Sequence, residues 1–146
     1  MAEIVREVMT PGVVAVGPDA SLVEAAQLMR ARDIGDVLVA ADGQVLGVLT
    51  DRDITLRAVA IGADPLTISA QTVCTPAPVL VEAQAPVSSA VSLMREHAVR
   101  RLPVVENGRP VGMVSLGDLA VAQDPHSALA AISRARPDHE PGTTPG

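Results

Sequence analysis

An internal duplication dominates this sequence of 146 residues. A shift of 65 residues places residues 8–54 on residues 73–119 without a gap. The identical pairs include Thr10 and Thr75, Gly43 and Gly108, Gly47 and Gly112, and Asp53 and Asp118. Self-similarity at a fixed spacing indicates structural repeats. Because a unit of about 50 residues has too small a core to be stable alone, we expect the two copies to pack together.

Each copy predicts the same order of elements: strand, helix, strand, strand, helix. The strands are short β-branched runs, the helices have apolar residues at i, i+3, i+4 and i+7, and Asp-Gly or Asn-Gly marks a hairpin. The shared predictions are strands at 13–16 and 78–81, helices from Leu22 and Val87, hairpin turns at 42–43 and 107–108, and second helices at about 51–60 and 116–123. The predicted fold is α/β (α+β), with two β-α-β-β-α repeats related by a pseudo-twofold axis and packed through their sheets.

The predicted boundaries follow shifts in composition. We expect the first repeat with its lead-in over 1–60, a linker over 61–72 and the second repeat over 73–123. A short helix is expected within 124–135, and the tail 136–146, which has no apolar periodicity, is expected to be disordered.

The absent residue types exclude several functions. The chain has no Phe, Tyr or Trp, so it has no aromatic platform for nucleic-acid bases. It has no Lys, which excludes a Walker A phosphate loop and Schiff-base chemistry. The formal net charge of −6 also disfavours a nucleic-acid partner.

A single cysteine, Cys74, cannot close an intrachain disulfide, so we expect a cytoplasmic protein. The N-terminus has no signal-type apolar run and no apolar stretch approaches the length of a membrane span, so no membrane partner is expected. Cys74 aligns with Met9 and is expected to pack as a small apolar residue, with a redox-sensing thiol as the alternative. His97, His126 and His139 lack the paired spacing of a metal site, so no metal is predicted.

Both copies carry a polar motif where a strand passes into a helix. It consists of a glycine, a hydroxyl residue three positions later and an aspartate three further on: Gly47, Thr50 and Asp53, then Gly112, Ser115 and Asp118. A strand glycine lets another group approach the backbone closely, and a carboxylate can accept hydrogen bonds from two sugar hydroxyls. The alternative is a capping box, which needs the same hydroxyl and acidic residues for purely structural reasons.

Four stretches of the sequence resemble the cystathionine-β-synthase (CBS) domain family: VMTPGVVAVGPDASLVEAAQLM, IGDVLVA, GVLTDRDI and HAVRRLPVVENGRPVGMVSLGDLA. The resemblance covers roughly residues 1–123. The chain is similar in overall length and in its linker to the small stand-alone CBS pairs of actinobacteria. It implies a non-catalytic regulatory module that binds an adenosine nucleotide or a related adenosyl ligand (AMP, ADP, ATP, NAD or S-adenosylmethionine) in clefts between the repeats. It also implies a homodimer formed through the helices, an unknown regulated protein and no required cofactor. A structural or protein-interaction pair with empty clefts is the alternative, and an enzyme such as a hydrolase is a third hypothesis.

The resemblance implies two ligand sites, in which the motif holds ribose and phosphate and the first strand embraces the adenine. The first site is expected to contain Thr10, Val13, Val14, Thr50, Arg52, Asp53, Arg100 and Arg101. The second is expected to contain Thr75, Pro78, Val79, Gly35, Asp36, Ser115 and Asp118.

In the family, phosphate is often bound by basic residues that begin the second strand of the opposite unit, so the resemblance implies that the two sites are unequal. Arg100 and Arg101 would face Thr50, whereas the equivalent Gly35 and Asp36 would face Ser115, and an acid repels phosphate. His97 is expected to line the helix end, with a secondary phosphate contact as the alternative. The alternative for the two arginines is a solvated surface or an ion pair, for which Asp36 is a candidate partner.

Overall fold

The two copies form two four-stranded sheets in a computed structural model that describes residues 4–76, 79–124 and 126–135. The helices are α1 (Val5–Val8), α2 (Leu22–Arg32), α3 (Asp51–Arg57), α4 (Ala70–Val73), α5 (Val87–His97), α6 (Leu116–Gln123) and α7 (Ala128–Arg134). The strands are β1 (Thr10–Pro11), β2 (Ala15–Val16), β3 (Asp36–Ala41), β4 (Gln44–Thr50), β5 (Thr75–Pro76), β6 (Val81–Glu82), β7 (Arg101–Glu106) and β8 (Arg109–Ser115). The predicted α+β class is confirmed.

Each sheet takes one short strand from the opposite copy. The strand orders are β2-β3-β4-β5 and β1-β8-β7-β6, so β5 completes the sheet of the first copy and β1 completes that of the second. The central hairpins and the exchanged strands pair antiparallel, while β2 and β6 pair parallel with β3 and β7. The sequence did not predict this exchange.

The exchange also reaches the two hydrophobic cores. Val5 of α1 is fully buried in the core of the second copy, and Val73 of α4 is buried in the core of the first. Arg6 forms an ion pair with Glu106 at the end of β7. The segments that precede each copy therefore interlock the two halves of the molecule.

The motif glycines provide the space for the exchanged strands. A Cβ atom at Gly47 would lie 2.7 Å from the carbonyl oxygen of Thr75, and one at Gly112 would lie 2.6 Å from that of Thr10. No larger residue fits at this approach of two backbones. The close approach predicted from the sequence is present, and the approaching group is the opposite copy's strand.

Both predicted hairpin turns are confirmed. Asp42 and Asn107 have φ angles of 53° and 54°, and each is followed by a glycine that also has positive φ. Two consecutive residues with positive φ are what a two-residue type I′ turn requires.

The second helix of the first copy is shorter than predicted. It ends at Arg57, and a 3₁₀ turn at Val59–Ile61 follows. The last three residues of the expected linker, 70–72, belong to helix α4, which ends at Val73. Helix α7 lies in the segment where a short helix was expected, and the predicted tail 136–146 lies outside the described residues. The expected limits of the repeats stay a prediction.

Candidate functional site

A cleft of about 730 Å³ lies between the two copies and is lined by residues from both. We call it the Thr50 cleft. Its polar lining consists of Asp36, Thr50, Arg52, His97, Arg100 and Arg101. Its apolar lining includes Val48, Val79, Val99 and Pro103. The cleft therefore combines a cationic region with hydrophobic walls.

The structure regroups the residues of the two predicted sites. Thr50, Arg52, Arg100 and Arg101 line the cleft as expected of the first site, but Thr75 and Val79, which were expected in the second, line it with them. The physical reason is strand exchange, which pairs Thr75 with Val48, two residues before Thr50 on β4.

The remaining members expected in the first site are elsewhere. Thr10 pairs with Met113 on β8, so it belongs to the second sheet. Val13 is exposed, and Val14 packs against the core of the first copy. None of these three residues lines the Thr50 cleft, so the structure does not bring them together with Thr50 there.

Asp36 lies in the Thr50 cleft rather than facing Ser115 and Asp118 as expected. Its Oδ2 atom is 2.8 Å from Nε of Arg101, and its side chain is 14% exposed against 52% for Arg101. Burial raises the pKa of Asp36, the charge of Arg101 lowers it, and nearby Asp51 raises it further, so that the net direction is upward. The ion pair considered as an alternative for the arginines is present.

Both motif aspartates form capping boxes. Thr50 Oγ1 accepts a hydrogen bond from the Asp53 amide at 3.0 Å, and Asp53 Oδ2 accepts one from the Thr50 amide at 3.0 Å. Ser115 and Asp118 form the same pair of bonds at 3.1 and 2.9 Å. Asp53 does not line the Thr50 cleft. The capping alternative is therefore what the structure shows for these carboxylates.

Asp53 is also close to a cation that the sequence reasoning missed. Its side chain is 12% exposed, with Oδ1 3.9 Å from Nε of Arg57. Arg57 in turn donates hydrogen bonds to the carbonyl oxygens of Val73 at 3.3 Å and Cys74 at 3.4 Å. The i,i+4 spacing of the two residues was the available signal. This pair links α3 to the exchanged segment.

The second motif has different surroundings. The lining of a cavity of about 790 Å³ there includes Ser115, Gly117, Asp118 and Ser133, together with Arg100 and Arg101, which also line the Thr50 cleft. A Cβ atom at Gly117 would lie 2.9 Å from Cβ of Ser133, so α7 packs directly on the start of α6. The carbonyl of Gly35 accepts a hydrogen bond from the Asp51 amide at 2.9 Å. Pro78, also expected in the second site, lies outside the described residues.

Cys74 is 4% exposed. Its thiol donates a hydrogen bond to the carbonyl oxygen of Gln71 at 3.4 Å. Burial raises the pKa of the Cys74 thiol, and the charge of Asp53 raises it further. These features disfavour the reactive thiolate that a redox sensor needs.

Among the described residues, no group of three or more His, Cys, Asp and Glu side chains could hold a metal ion. In the same part of the chain, no helix has the length and apolar character needed to cross a membrane.

Comparisons with known proteins find the CBS domain twice, at residues 5–59 and 70–124. Hypoxic response protein 1 of Mycobacterium tuberculosis is 40% identical over 116 residues, which cover 79% of this chain and 81% of that protein. The crystal structure of Hypoxic Response Protein I with two coordinated zinc ions is 39% identical, has a TM-score of 0.73, and covers 80% of this chain and 96% of its own.

Another solved structure is similar to this chain in fold alone. The crystal structure of the CBS domain pair of protein MJ0100 contains 5′-methylthioadenosine and S-adenosyl-L-methionine. It is 19% identical, with a TM-score of 0.75, and covers 87% of this chain and 100% of its own.

Proposed function

Since this chain belongs to the CBS domain family as a tandem pair, we propose that it is a regulatory module whose Thr50 cleft binds an anionic adenosine-containing ligand. The observation that carries the proposal is the composition of that cleft, in which Arg52, Arg100 and Arg101 lie beside apolar walls. Guanidinium groups bind phosphate in a forked, charge-assisted way. Apolar side chains can cover an adenine without an aromatic residue.

The size of the cleft supports this function. Its volume of about 730 Å³ falls within the range of small-molecule sites, which is about 300–1,000 Å³. The MJ0100 CBS pair shows that a pair of this fold can hold adenosyl ligands. No further cofactor is part of the proposal.

We propose binding without turnover. The carboxylates of both motifs hold their helix caps, so neither is positioned as a general base toward the cleft. A ligand between the copies can regulate a partner protein only through its different affinity for two arrangements of the pair. The regulated protein is unknown.

A second candidate function is an interaction pair that binds no small molecule. The capping boxes favour it, because they give both polar motifs a structural role. The ion pair between Asp36 and Arg101 favours it too, because it already neutralises one of the cleft arginines. In this function the two copies would serve as a scaffold.

A thermal-shift screen of the full chain separates the two candidates. AMP, ADP, ATP, NAD and S-adenosylmethionine would be compared with adenosine and inorganic phosphate, which each present half of a nucleotide. A ligand at 100 times its dissociation constant adds about 2.7 kcal/mol to the free energy of unfolding. We expect at least one phosphate-bearing adenosine ligand to raise the melting temperature more than adenosine or phosphate does alone. An unchanged melting temperature with all five ligands would support the scaffold.

We also propose that the chain forms a homodimer through its helices. Leu56 on α3 and Leu116 on α6 are 49% and 42% exposed, which is high for large apolar side chains. Light scattering after size-exclusion chromatography gives the mass directly. A mass of about 30 kDa, twice that of the 15.0 kDa chain, supports the dimer, and a monomer at every concentration contradicts it.

A further inference from the structure

The two members of the ion pair in the Thr50 cleft occupy equivalent positions in the two copies. Asp36 and Arg101 are separated by the same 65 residues that relate the repeats. Asp36 begins β3 and pairs in register with Thr50, and Arg101 begins β7 and pairs with Ser115. Two identical charged residues at these positions would repel each other, whereas opposite charges join the copies at 2.8 Å.

Within the described residues, the other two cleft arginines have no such partner. Neither Arg52 nor Arg100 forms an ion pair there, while Arg101 is held by an internal carboxylate. All three line the same cleft. Two guanidinium groups are thus open to an anionic ligand, and the third must first leave Asp36.

Burial makes that exchange costly. The Asp36 side chain is 14% exposed, so its ionised form depends on Arg101 as a partner. Drawing a cation away from a largely buried carboxylate leaves an uncompensated charge, which is more costly than losing an exposed ion pair. The carboxylate of Asp36 therefore competes with any ligand phosphate for Arg101.

We propose that Asp36 is a specificity-determining residue, which occupies Arg101 as an internal anion and so disfavours ligands with more than one phosphate. The inference rests on the proposed function of the Thr50 cleft. A single phosphate can be matched by Arg52 and Arg100. Longer phosphate chains need Arg101 as well and meet the charge of Asp36.

Calorimetric titrations of AMP, ATP and inorganic pyrophosphate test this. The proteins are the unmodified chain, Asp36→Asn, the control Asp51→Asn, and the double variant Asp36→Asn with Arg101→Gln. Asp51 is a matched control because its charge acts on Asp36 but its side chain does not line the cleft. A circular dichroism melt of each variant establishes that it is folded.

We expect Asp36→Asn to strengthen binding of ATP and pyrophosphate about tenfold, the change expected when one charged hydrogen bond becomes available. The affinity for AMP should change less. Asp51→Asn should bind ATP and pyrophosphate with the affinity of the unmodified chain. The double variant should lose the gain in affinity, because that gain requires Arg101.

Other outcomes overturn the inference. An equal gain in ATP affinity in Asp51→Asn would mean that only long-range charge matters. An unchanged preference between ATP and AMP in Asp36→Asn would mean that Asp36 does not compete with ligand phosphate for Arg101. In both cases AMP binding by the unmodified chain would still support the proposed function. A gain in pyrophosphate binding without adenosine-ligand binding by any protein would support the role of Asp36 and contradict the proposed function. No binding of any probe would overturn both.

Discussion

The aspartates of this chain have different roles because they lie at different positions in helices and strands. Asp53 and Asp118 lie in the first turn of a helix, where each accepts a hydrogen bond from the amide three residues earlier. Asp36 lies at the start of a strand and reaches Arg101 in the opposite copy. The first two stabilise local structure, whereas the third joins the copies.

At the same scale, we predict that Cys74 is inert in the folded chain. Its burial and raised pKa keep the thiol protonated, so a disulfide reagent should modify it at least about tenfold more slowly in buffer than in urea. Absorbance of the released thiolate measures both rates. Rapid, stoichiometric modification of the native protein would contradict this prediction and revive the redox alternative.

The raised pKa of Cys74 also predicts a pH dependence. The folded state holds the thiol proton more strongly than the unfolded state, so its stabilising contribution is present below the ordinary thiol pKa. That contribution is lost as the pH rises through the raised value. Urea unfolding at neutral and alkaline pH should show this loss, and Cys74→Ala should remove that part of it.

At the scale of elements, α7 depends on the absence of a side chain at Gly117. Alanine normally stabilises a helix relative to glycine by about 1 kcal/mol. Here its Cβ would lie 2.9 Å from Cβ of Ser133, so we expect Gly117→Ala to cost about 1–3 kcal/mol and to displace α7. Hydrogen exchange of residues 128–134 should become faster. Adding Ser133→Gly should restore protection, and unchanged exchange in Gly117→Ala would contradict the packing.

The longer elements were predictable from sequence because each has a periodic pattern of apolar residues or is bounded by turn-forming residues. Helix α2 and the hairpin at Asp42 are examples. The two-residue strands β1 and β5 have no period to detect. Moreover, duplication makes Thr10 equally compatible with Gly47 and with Gly112, so sequence matching cannot decide which sheet it joins. The difference between the predicted grouping of site residues and the lining of the Thr50 cleft follows from this ambiguity.

The candidate site was predictable in part for a similar reason. The position of Arg100 and Arg101 opposite Thr50 followed from the family resemblance together with the repeat, and both line the Thr50 cleft. The role of Asp53 did not follow, because a capping box and a sugar-binding motif have the same spacing. Only the position of the carboxylate oxygens distinguishes them.

At the scale of the whole molecule, the exchanged strands predict that the two copies unfold together. Gly47→Ala would place a Cβ 2.7 Å from the Thr75 carbonyl oxygen, so β5 must shift, at a cost of about 1–3 kcal/mol. Gly17→Ala is the matched control, because nothing lies within 4 Å of its Cβ position. Calorimetry should show a single unfolding transition. Its midpoint temperature should be lower in Gly47→Ala and unchanged in Gly17→Ala. Two separate transitions would contradict the interlock.

Titration of AMP into the full chain and into Arg52→Gln tests most directly whether the Thr50 cleft binds an anionic adenosine ligand, because Arg52 lines this cleft and not the cavity at Ser115. Arg30→Gln is the control, because Arg30 occupies a surface groove at the end of α2. We predict saturable binding that Arg52→Gln weakens about tenfold or more, through loss of charged hydrogen bonds to phosphate, and that Arg30→Gln leaves unchanged. Equal affinity in all three proteins, or no saturable binding of AMP, ATP, NAD or S-adenosylmethionine, would contradict the account.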